Sequence, residues 1–262
     1  MSTPLLHVDA FAEAPFRGNP AAVCLLDGAR SAGWMQALAA ELNLPATVFI
    51  EPAADGSAVR WFSPAAELTL CGHGTLAAAH ALWETARLPR AATARFATRS
   101  GVLSAVSRDG WITIDLPAET AVPASPPLEL LDALGTKARW VGRNRLDWVI
   151  EVDDEAVVRA LAPDLVALAA VDTRGVAVTA RATTPDADFV SRFFAPRVGI
   201  PEDAVTGSAH CCLAPLWAAR LGRSELTARQ LSTRGGVVRA RVDRDRVALS
   251  GQAITVLRGA LA

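Results

Sequence analysis

Two short segments of the chain combine small polar or ionisable residues with the start of an apolar helix. Residues 199–210 read Gly-Ile-Pro-Glu-Asp-Ala-Val-Thr-Gly-Ser-Ala-His and precede the apolar run Cys211–Leu221. Residues 70–75 read Leu-Cys-Gly-His-Gly-Thr and precede a second apolar run, Leu76–Trp83. The first N–H groups of a helix have no intrahelical partners, and the helix dipole favours an anion there. We therefore predict that the two helix starts face each other and hold a carboxylate between them.

Four side chains in the segment 199–210 have both a chemical and a structural interpretation. Asp203 and Glu202 are either solvated loop acids or, beside a helix start and an apolar wall, one proton-transfer group. Thr206 or Ser208 is either an ordinary N-cap or part of an anion cradle that includes Gly207. The segment therefore predicts a site, with these alternatives open.

The helix start in the segment 70–75 carries a histidine and a cysteine. His73 lies between Gly72 and Gly74, which places its ring at a helix mouth and favours a functional role. Cys71 is either a thiolate stabilised by the helix start or a small buried hydrophobe. His210 is interpreted as a core residue.

Familiar catalytic and cofactor motifs are missing from the sequence. Ser208 and His210 are two residues apart on one helix and point in different directions, which excludes a Ser–His couple. The sequence has no HExxH, no GxxxxGK[ST] and no GxGxxG after a strand. We therefore expect no metal, nucleotide or other cofactor.

The elements that position these residues are mostly predicted strands. Ser31 is a predicted N-cap for a helix to Leu42, while residues 53–57 and Asp109-Gly110 are predicted hairpin turns. A helix that is apolar on every side must be buried all round, which predicts a helix threaded through a curved sheet. Two such helices, with Trp83 and Trp217 134 positions apart, indicate two similar domains.

The domain boundary is predicted in the Pro- and Ala-rich segment that begins at residue 117. We assign residues 1–117 to the first domain and 118–262 to the second, with the alternative that the C-terminal tail joins the first. The fold class is α+β.

Bulk composition limits the class of protein. The 262 residues are 51% hydrophobic and 20% charged, with a net charge of −1. The charges are mixed along the chain, so we expect no nucleic-acid or membrane partner. The four cysteines do not form a pattern typical of disulfides or zinc ligands. We expect a cytoplasmic protein.

Several motifs together resemble one family. The segments that carry the resemblance are Asp9-Ala-Phe11, Gly18-Asn19-Pro20, Trp61-Phe-Ser-Pro64, Glu67–Thr75, Ser191-Arg-Phe-Phe-Ala-Pro196, Gly199–His210 and Gln230–Gly236. In this order they resemble the phenazine-biosynthesis PhzF-like isomerases. The resemblance implies a diaminopimelate-epimerase fold, with two pseudo-symmetric domains that each wrap a curved sheet around a central helix. It also implies cofactor-free proton transfer on a small carboxylated substrate bound between the domains, and a homodimer.

The same resemblance assigns roles to individual residues. Asp203 matches a catalytic acid/base position, and His73 and Ser208 match other polar site residues. Gly74, Thr206 and Gly207 match the substrate cradle, and Asn19 and Gly72 are further predicted substrate-binding residues.

One position departs from the family pattern. Family members have Asn-Leu-Ser-Glu-Thr where this chain has Asn43-Leu-Pro-Ala-Thr47, so Ala46 replaces the glutamate that serves as general base. Cys71 is one candidate for its replacement, because Cys-Gly resembles the thiolate motif of the related epimerases. Glu41 is a second candidate, and loss of the proton chemistry is the third explanation. Val205 takes the place of the epimerases' second cysteine, which argues against a two-thiol racemase.

Overall fold

The computed structural model describes residues 2–53 and 56–262 of the chain. Between residues 3 and 117 the elements are β1 Thr3–Ala10, β2 Asn19–Leu25, α1 Ala32–Leu42, β3 Ala46–Ala53, β4 Gly56–Phe62, β5 Glu67–Leu68, α2 Gly72–Glu84, β6 Ala94–Thr98, β7 Gly101–Arg108 and β8 Trp111–Pro117. Between residues 122 and 261 they are β9 Val122–Pro123, α3 Leu128–Leu134, β10 Trp140–Arg143, β11 Asp147–Glu151, α4 Glu155–Ala160, α5 Leu165–Ala170, β12 Gly175–Arg181, β13 Phe189–Ala195, a 3₁₀ turn Pro196–Val198, β14 Ile200–Asp203, α6 Gly207–Leu221, β15 Glu225–Gln230, β16 Gly236–Asp243, β17 Arg246–Gly251 and β18 Ala253–Leu261.

The chain forms two compact units. The first contains residues 1–116 and 250–262, and the second contains residues 117–249. The C-terminal strand β18 lies in the first unit because it pairs along the whole of β1, from Thr3 opposite Leu261 to Ala10 opposite Ala253. Residues 250–262, which the sequence placed in the second domain with the first as the alternative, are thus part of the first unit.

In the first unit, one helix lies on each face of the sheet. Side chains alternate between the faces of a strand. One face carries Cys24, Phe49 and Phe62, which pack with Met35 and Ala39 of α1. The opposite face surrounds α2, which contacts β1, β2, β3, β7 and β18. Ten of the thirteen residues of α2 are buried, as expected of a helix enclosed by a sheet.

The second unit follows the same plan. Helices α3, α4 and α5 pack on the sheet face that carries Ile150, Val178 and Phe194. On the other face, Trp217 of α6 stacks on Phe189 and donates its indole N–H to the Thr179 hydroxyl at 2.9 Å. In both units the strand pairing is mostly antiparallel, with parallel pairs such as β2–β3 and β11–β12.

Helix α6 continues through a proline. Pro215 has no N–H to donate to the carbonyl of Cys211. That carbonyl instead accepts a hydrogen bond from the N–H of Glu119 at 3.0 Å. The backbone group that the proline leaves without a helical partner is therefore satisfied.

Local signals in the sequence predicted several of these elements. Ser31 caps α1, because its hydroxyl accepts the N–H of Trp34 at 3.2 Å. Asp109 and Gly110 form the turn between β7 and β8, with φ of 51° and 79° as a type I′ turn requires. The turn predicted at residues 53–57 includes positions 54 and 55, which lie outside the described residues. No helix in the described part of the chain has the length and hydrophobicity to cross a bilayer.

Candidate active site

One candidate site is the start of α2, in the first unit. Cys71 is the N-cap residue, with an extended backbone and no side-chain cap. Its carbonyl accepts both the N–H and the hydroxyl of Thr75, at 2.9 and 2.7 Å. The backbone at the helix start is therefore fixed, and the thiol does not satisfy the helix N–H groups.

Cys71 and His73 lie together at this helix start. The thiol sulfur is 3.6 Å from Nδ1 of the imidazole. Both residues are buried, with 6% of the surface of Cys71 and 8% of the surface of His73 exposed. An imidazole at this distance can take up the thiol proton, and a nearby imidazolium and a helix start both favour the thiolate. The two residues can therefore act as a proton-accepting pair.

Gly74 allows this close arrangement. A Cβ atom at this position would lie 2.8 Å from Cδ1 of Trp61 and 2.9 Å from Sγ of Cys71. Both distances are shorter than an ordinary contact with a carbon atom. Trp61 is itself buried, so its ring has no free space into which to move. The glycine of the predicted cradle is therefore required by packing against Cys71.

We expect Gly74→Ala to displace Cys71 and to destabilise the protein by about 1–3 kcal/mol, the usual cost of overpacking a core. Gly33→Ala is the matched control, since a Cβ there meets no atom within 4 Å. Urea unfolding of the two variants measures the effect. Equal stabilities would show that the space beside Gly74 is not restrictive.

Ala46 and Asn19 lie on the sheet face that surrounds α2. In the parallel pairing of β2 with β3, Ala21 is opposite Ala46 and Val23 is opposite Val48. Because side chains alternate, Ala46 is on the face of Val48, whose methyl carbon lies 3.2 Å from the Cβ position of Gly74. Asn19, the first residue of β2, shares this face and is completely buried. The methyl group of Ala46 thus points toward the helix that carries Cys71 and His73.

Glu41 does not replace the missing glutamate. It is exposed on α1, and α1 packs on the face of Phe49, opposite to the face of Ala46. The sheet separates the two positions, so this candidate is wrong.

The other candidate site is the start of α6, in the second unit. Residues 200–203, which the sequence indicated only as an acidic turn, form strand β14 and place Asp203 at its end. Thr206 is the N-cap residue, but its side chain makes no cap. Its hydroxyl instead donates to Oδ2 of Asp203 at 2.6 Å. The ordinary N-cap interpretation of Thr206 is therefore wrong, and α6 begins at Gly207 without a side-chain cap.

A buried glutamine fixes the loop between Asp203 and Thr206. Oε1 of Gln230 accepts the N–H of Thr206 at 2.8 Å. Its Nε2 donates to the carbonyl of Asp203 at 2.7 Å and to the Thr206 hydroxyl at 3.2 Å. Gln230 was noted in the sequence only as part of a family motif. Its position at the last residue of β15, as a polar residue ending a strand, is the signal that could have identified it.

The two acids of the loop have different surroundings. Glu202 forms a bidentate ion pair with Arg192, with N–O distances of 2.7 and 2.9 Å. Asp203 receives the Thr206 hydroxyl and is only partly buried. Glu202 is thus bound to a permanent cation, while Asp203 lies at the end of β14, beside the start of α6.

Ser208 lies in the first turn of α6 and is partly exposed. Its hydroxyl oxygen accepts a hydrogen bond from Nη2 of Arg174 at 3.1 Å. Gly207, beside it, is buried. The structure thus collects Asp203, Thr206, Gly207 and Ser208 at one helix start.

The offset between the two helix starts is one residue larger than the 134 positions between Trp83 and Trp217. Gly72 and Gly207 are the first helical residues, and they are 135 positions apart. The counterpart of Cys71 at the N-cap is therefore Thr206 rather than Val205. The second unit has a hydroxyl where the first has a thiol.

His210 is a core residue, as expected. It is completely buried, and its Nδ1 lies 2.8 Å from the carbonyl of Thr206, which places the ring proton on Nδ1. Burial lowers the pKa of His210 from 6.5 to about 4, against the opposing effect of that carbonyl.

This shift makes stability depend on pH. The unfolded chain binds a proton at His210 below pH 6.5 while the folded chain does not, so stability falls as the pH decreases from 6.5 toward 4. We expect a loss of about 2 kcal/mol between pH 7 and pH 5 from this residue. His210→Asn keeps a donor for the Thr206 carbonyl but does not titrate, so urea unfolding should show a correspondingly smaller loss. An identical loss in both proteins would contradict the assignment.

Among the residues that the structure describes, no three His, Cys, Asp or Glu side chains are grouped as metal ligands.

The fold is of the diaminopimelate-epimerase-like class. The chain belongs to the phenazine biosynthesis-like protein family, whose model matches residues 8–259. It is 48% identical to an uncharacterized isomerase of Halalkalibacterium halodurans over 262 residues, which is 100% of this chain and 99% of the relative. The family resemblance inferred from the motifs is confirmed.

Solved structures agree with this assignment. A PhzF family protein from Enterococcus faecalis is 39% identical and superposes with a TM-score of 0.95 over 100% of both chains. A hydroxyproline epimerase from Agrobacterium vitis, solved with bound trans-4-hydroxy-L-proline, has a TM-score of 0.64 at 13% identity and covers 100% of this chain and 92% of its own. The latter likeness is one of fold alone.

Proposed function

We propose that this protein is a cofactor-independent isomerase that moves a proton at a carbon atom of a small carboxylate-bearing metabolite. The observation that carries the proposal is Asp203, a carboxylate that Thr206 and Gln230 hold at the uncapped start of a buried helix. The isomerase name of the Halalkalibacterium halodurans relative supports the reaction class. In this proposal one substrate is contacted by both helix starts.

Asp203 is one of the two proton-transfer groups. Its carboxylate accepts the Thr206 hydroxyl, which orients the side chain at the start of α6. A positioned carboxylate of this kind contributes about 10²–10⁴-fold to a proton-transfer rate. Asp203 is therefore assigned as the acid/base of the second unit.

The Cys71–His73 pair is the second proton-transfer group. Ala46 has no ionisable atom, and Glu41 lies across the sheet, so the family's glutamate has no replacement from β3 or α1. The thiol and the imidazole, 3.6 Å apart at the start of α2, provide a group that can exchange a proton. We assign Cys71 as the acceptor and His73 as the group that takes the thiol proton.

The substrate's carboxylate is assigned to the helix starts. The backbone around Gly72, Gly74 and Gly207, with the Ser208 hydroxyl, supplies donors, and Asn19 is a further substrate-contacting residue of the first unit. A carboxylate held by N–H groups also acidifies the neighbouring carbon, because the same donors stabilise the negative charge that develops on its oxygens. Binding and activation thus use the same groups.

A deuterium-exchange assay tests the proposal. The protein is incubated in deuterated water with trans-4-hydroxy-L-proline, L-proline, other amino acids and cyclohexadienyl carboxylic acids, and proton NMR follows each carbon-bound hydrogen. We expect label at carbon in at least one compound. If none acquires label while one binds tightly, the isomerase assignment fails.

That outcome would favour the second candidate, a catalytically silent member of the family that binds a small molecule or a protein. The observation in its favour is Ala46, a completely buried methyl group on the face toward α2. The same fold would then bind a carboxylate without moving a proton. The proposal places this protein in the cytoplasm as a homodimer, which size-exclusion chromatography with light scattering and cell fractionation test separately.

A further inference from the structure

Behind Ser208 lies a buried ion pair that no motif of the sequence pointed to. Asp147 is the first residue of β11, and only 2% of its surface is exposed. The parallel pairing of β11 with β12 puts Asp147 opposite Gly175, so that Arg174 is adjacent to the carboxylate. Nε of Arg174 donates to Oδ1 at 2.8 Å, and Nη2 donates to Oδ2. The guanidinium is therefore held by two parallel bonds.

Further contacts fix the orientation of Arg174. Its guanidinium lies over the ring of Phe193, 5.6 Å from the centroid. Its backbone N–H donates to the carbonyl of Leu146 at 3.1 Å. Both the base and the head of this side chain are thus immobilised, and Nη2 is directed at Oγ of Ser208, 3.1 Å away.

This contact determines what the Ser208 hydroxyl can do. A hydroxyl has one hydrogen to donate and two lone pairs. Because the Ser208 oxygen already accepts from a guanidinium that has no lone pair, its own hydrogen points elsewhere. A cation on the oxygen side also makes the hydroxyl a stronger donor.

We propose that Asp147 and Arg174 are positioning residues that make Ser208 a hydrogen-bond donor to a carboxylate at the start of α6. The inference rests on the proposed function, since it assigns the anion of the substrate to this helix start. Thr206 cannot serve the same purpose, because its hydroxyl donates to Asp203. Ser208 is then the side-chain donor that accompanies the backbone N–H groups.

A matched pair elsewhere in the second unit provides the control. Glu151 and Arg220 also form an ion pair between a buried carboxylate and an arginine with 33% of its side chain exposed, as in Arg174. Arg220 likewise lies over an aromatic ring, that of Trp140, at 5.4 Å. Replacing this pair reproduces the structural cost of losing a buried ion pair without altering Ser208.

The test uses acetate as the probe and the full chain. Acetate is titrated while ¹H–¹⁵N NMR follows the backbone amides of Gly207 and Ser208. We expect Ser208→Ala and the charge-balanced double variant Asp147→Asn/Arg174→Gln to weaken acetate binding about 10–100-fold, the effect of losing one hydrogen bond to a charged group. Arg174→Lys, which keeps a cation near Ser208, should recover part of the affinity, and Glu151→Gln/Arg220→Gln should bind within about twofold of wild type.

Three results would overturn the inference. One is that acetate leaves the amides of Gly207 and Ser208 unshifted in the wild type. The others are wild-type acetate affinity in the Asp147/Arg174 double variant, and an equal loss in the Glu151/Arg220 control, which would indicate a general structural effect.

The outcome is separable from that of the proposed function. One outcome is that acetate binds the variants in the expected order of affinity while no compound of the panel acquires deuterium. The proposed proton transfer would then be wrong, and the positioning role of Arg174 would be supported. If a compound is labelled, its kcat/KM should fall several-fold in Arg174→Lys, because the Ser208 hydroxyl takes part in both binding and activation of the carboxylate. Labelling with an unchanged kcat/KM would leave the isomerase assignment intact and reject the positioning role.

Discussion

Replacing Asp203 by asparagine is expected to lower the rate of deuterium exchange about 10³-fold, within the range that a positioned acid/base contributes. Asparagine keeps the shape of the side chain and an oxygen for the Thr206 hydroxyl, which lies 2.6 Å from Oδ2 of the aspartate. It cannot exchange a proton. The change should therefore remove activity while the unfolding midpoint in urea stays close to that of the wild type. Proton NMR in deuterated water, on the compound that the wild type labels fastest, measures the loss.

Glu202→Gln is the matched control for this experiment. Glu202 neighbours Asp203, but its carboxylate is held by Arg192 at 2.7 and 2.9 Å. We expect Glu202→Gln to reduce stability through the half-buried arginine while exchange stays within a few-fold of wild type. If Asp203→Asn retained near wild-type exchange, or if the two variants lost activity equally, Asp203 would not be the acid/base.

The second large effect is expected at Cys71. Cys71→Ala should reduce exchange by about 10³-fold, because Ala46 supplies no base and the thiol is the partner of His73 at 3.6 Å. Cys71→Ser, with a hydroxyl whose proton is much harder to remove, should be nearly as inactive. His73→Asn, which removes the proton acceptor of the pair, should lower the rate to a similar extent. The same NMR assay ranks the three variants.

Cys24→Ala is the control that separates thiol chemistry from packing. Cys24, like Cys71, is a buried cysteine, and burial raises the pKa of its thiol to about 12. It packs on the α1 face of the sheet with Met35 and Phe49. We expect this variant to lose stability but to keep its exchange rate. Full activity in Cys71→Ala would refute the assignment of the pair and leave the base of the first unit to another group.

Much of the fold follows from local signals in the sequence. The apolar runs after residues 75 and 210 predicted the two central helices because a helix without a polar face has no stable position except inside a sheet. Ser31 and the Asp109-Gly110 turn were predicted because capping and left-handed turns depend on single residues. The site residues that lie within four positions of a helix start were found in the same way.

The rest of the site depends on contacts between distant parts of the chain. Gln230 reaches Thr206 across 24 positions, and Arg174 reaches Ser208 across 34, so neither contact follows from a local pattern in the sequence. Two roles were open for Thr206, because the sequence does not show whether its hydroxyl accepts a helix N–H or donates to Asp203. Glu41 was a plausible base until the strand register placed Ala46 and α1 on opposite faces. A one-residue change in that register would have reversed the conclusion.

We propose that this chain moves a proton at carbon without a cofactor, using Asp203 at the start of α6 and the Cys71–His73 pair at the start of α2. The most direct measurement is the deuterium content at carbon of the panel compounds after incubation with wild type, Asp203→Asn and Cys71→Ala, all dialysed against a chelator. We expect label in at least one compound with the wild type and a loss of about 10³-fold in the rate with each variant. Absence of label from every compound with the wild type, or equal labelling by all three proteins, would contradict it.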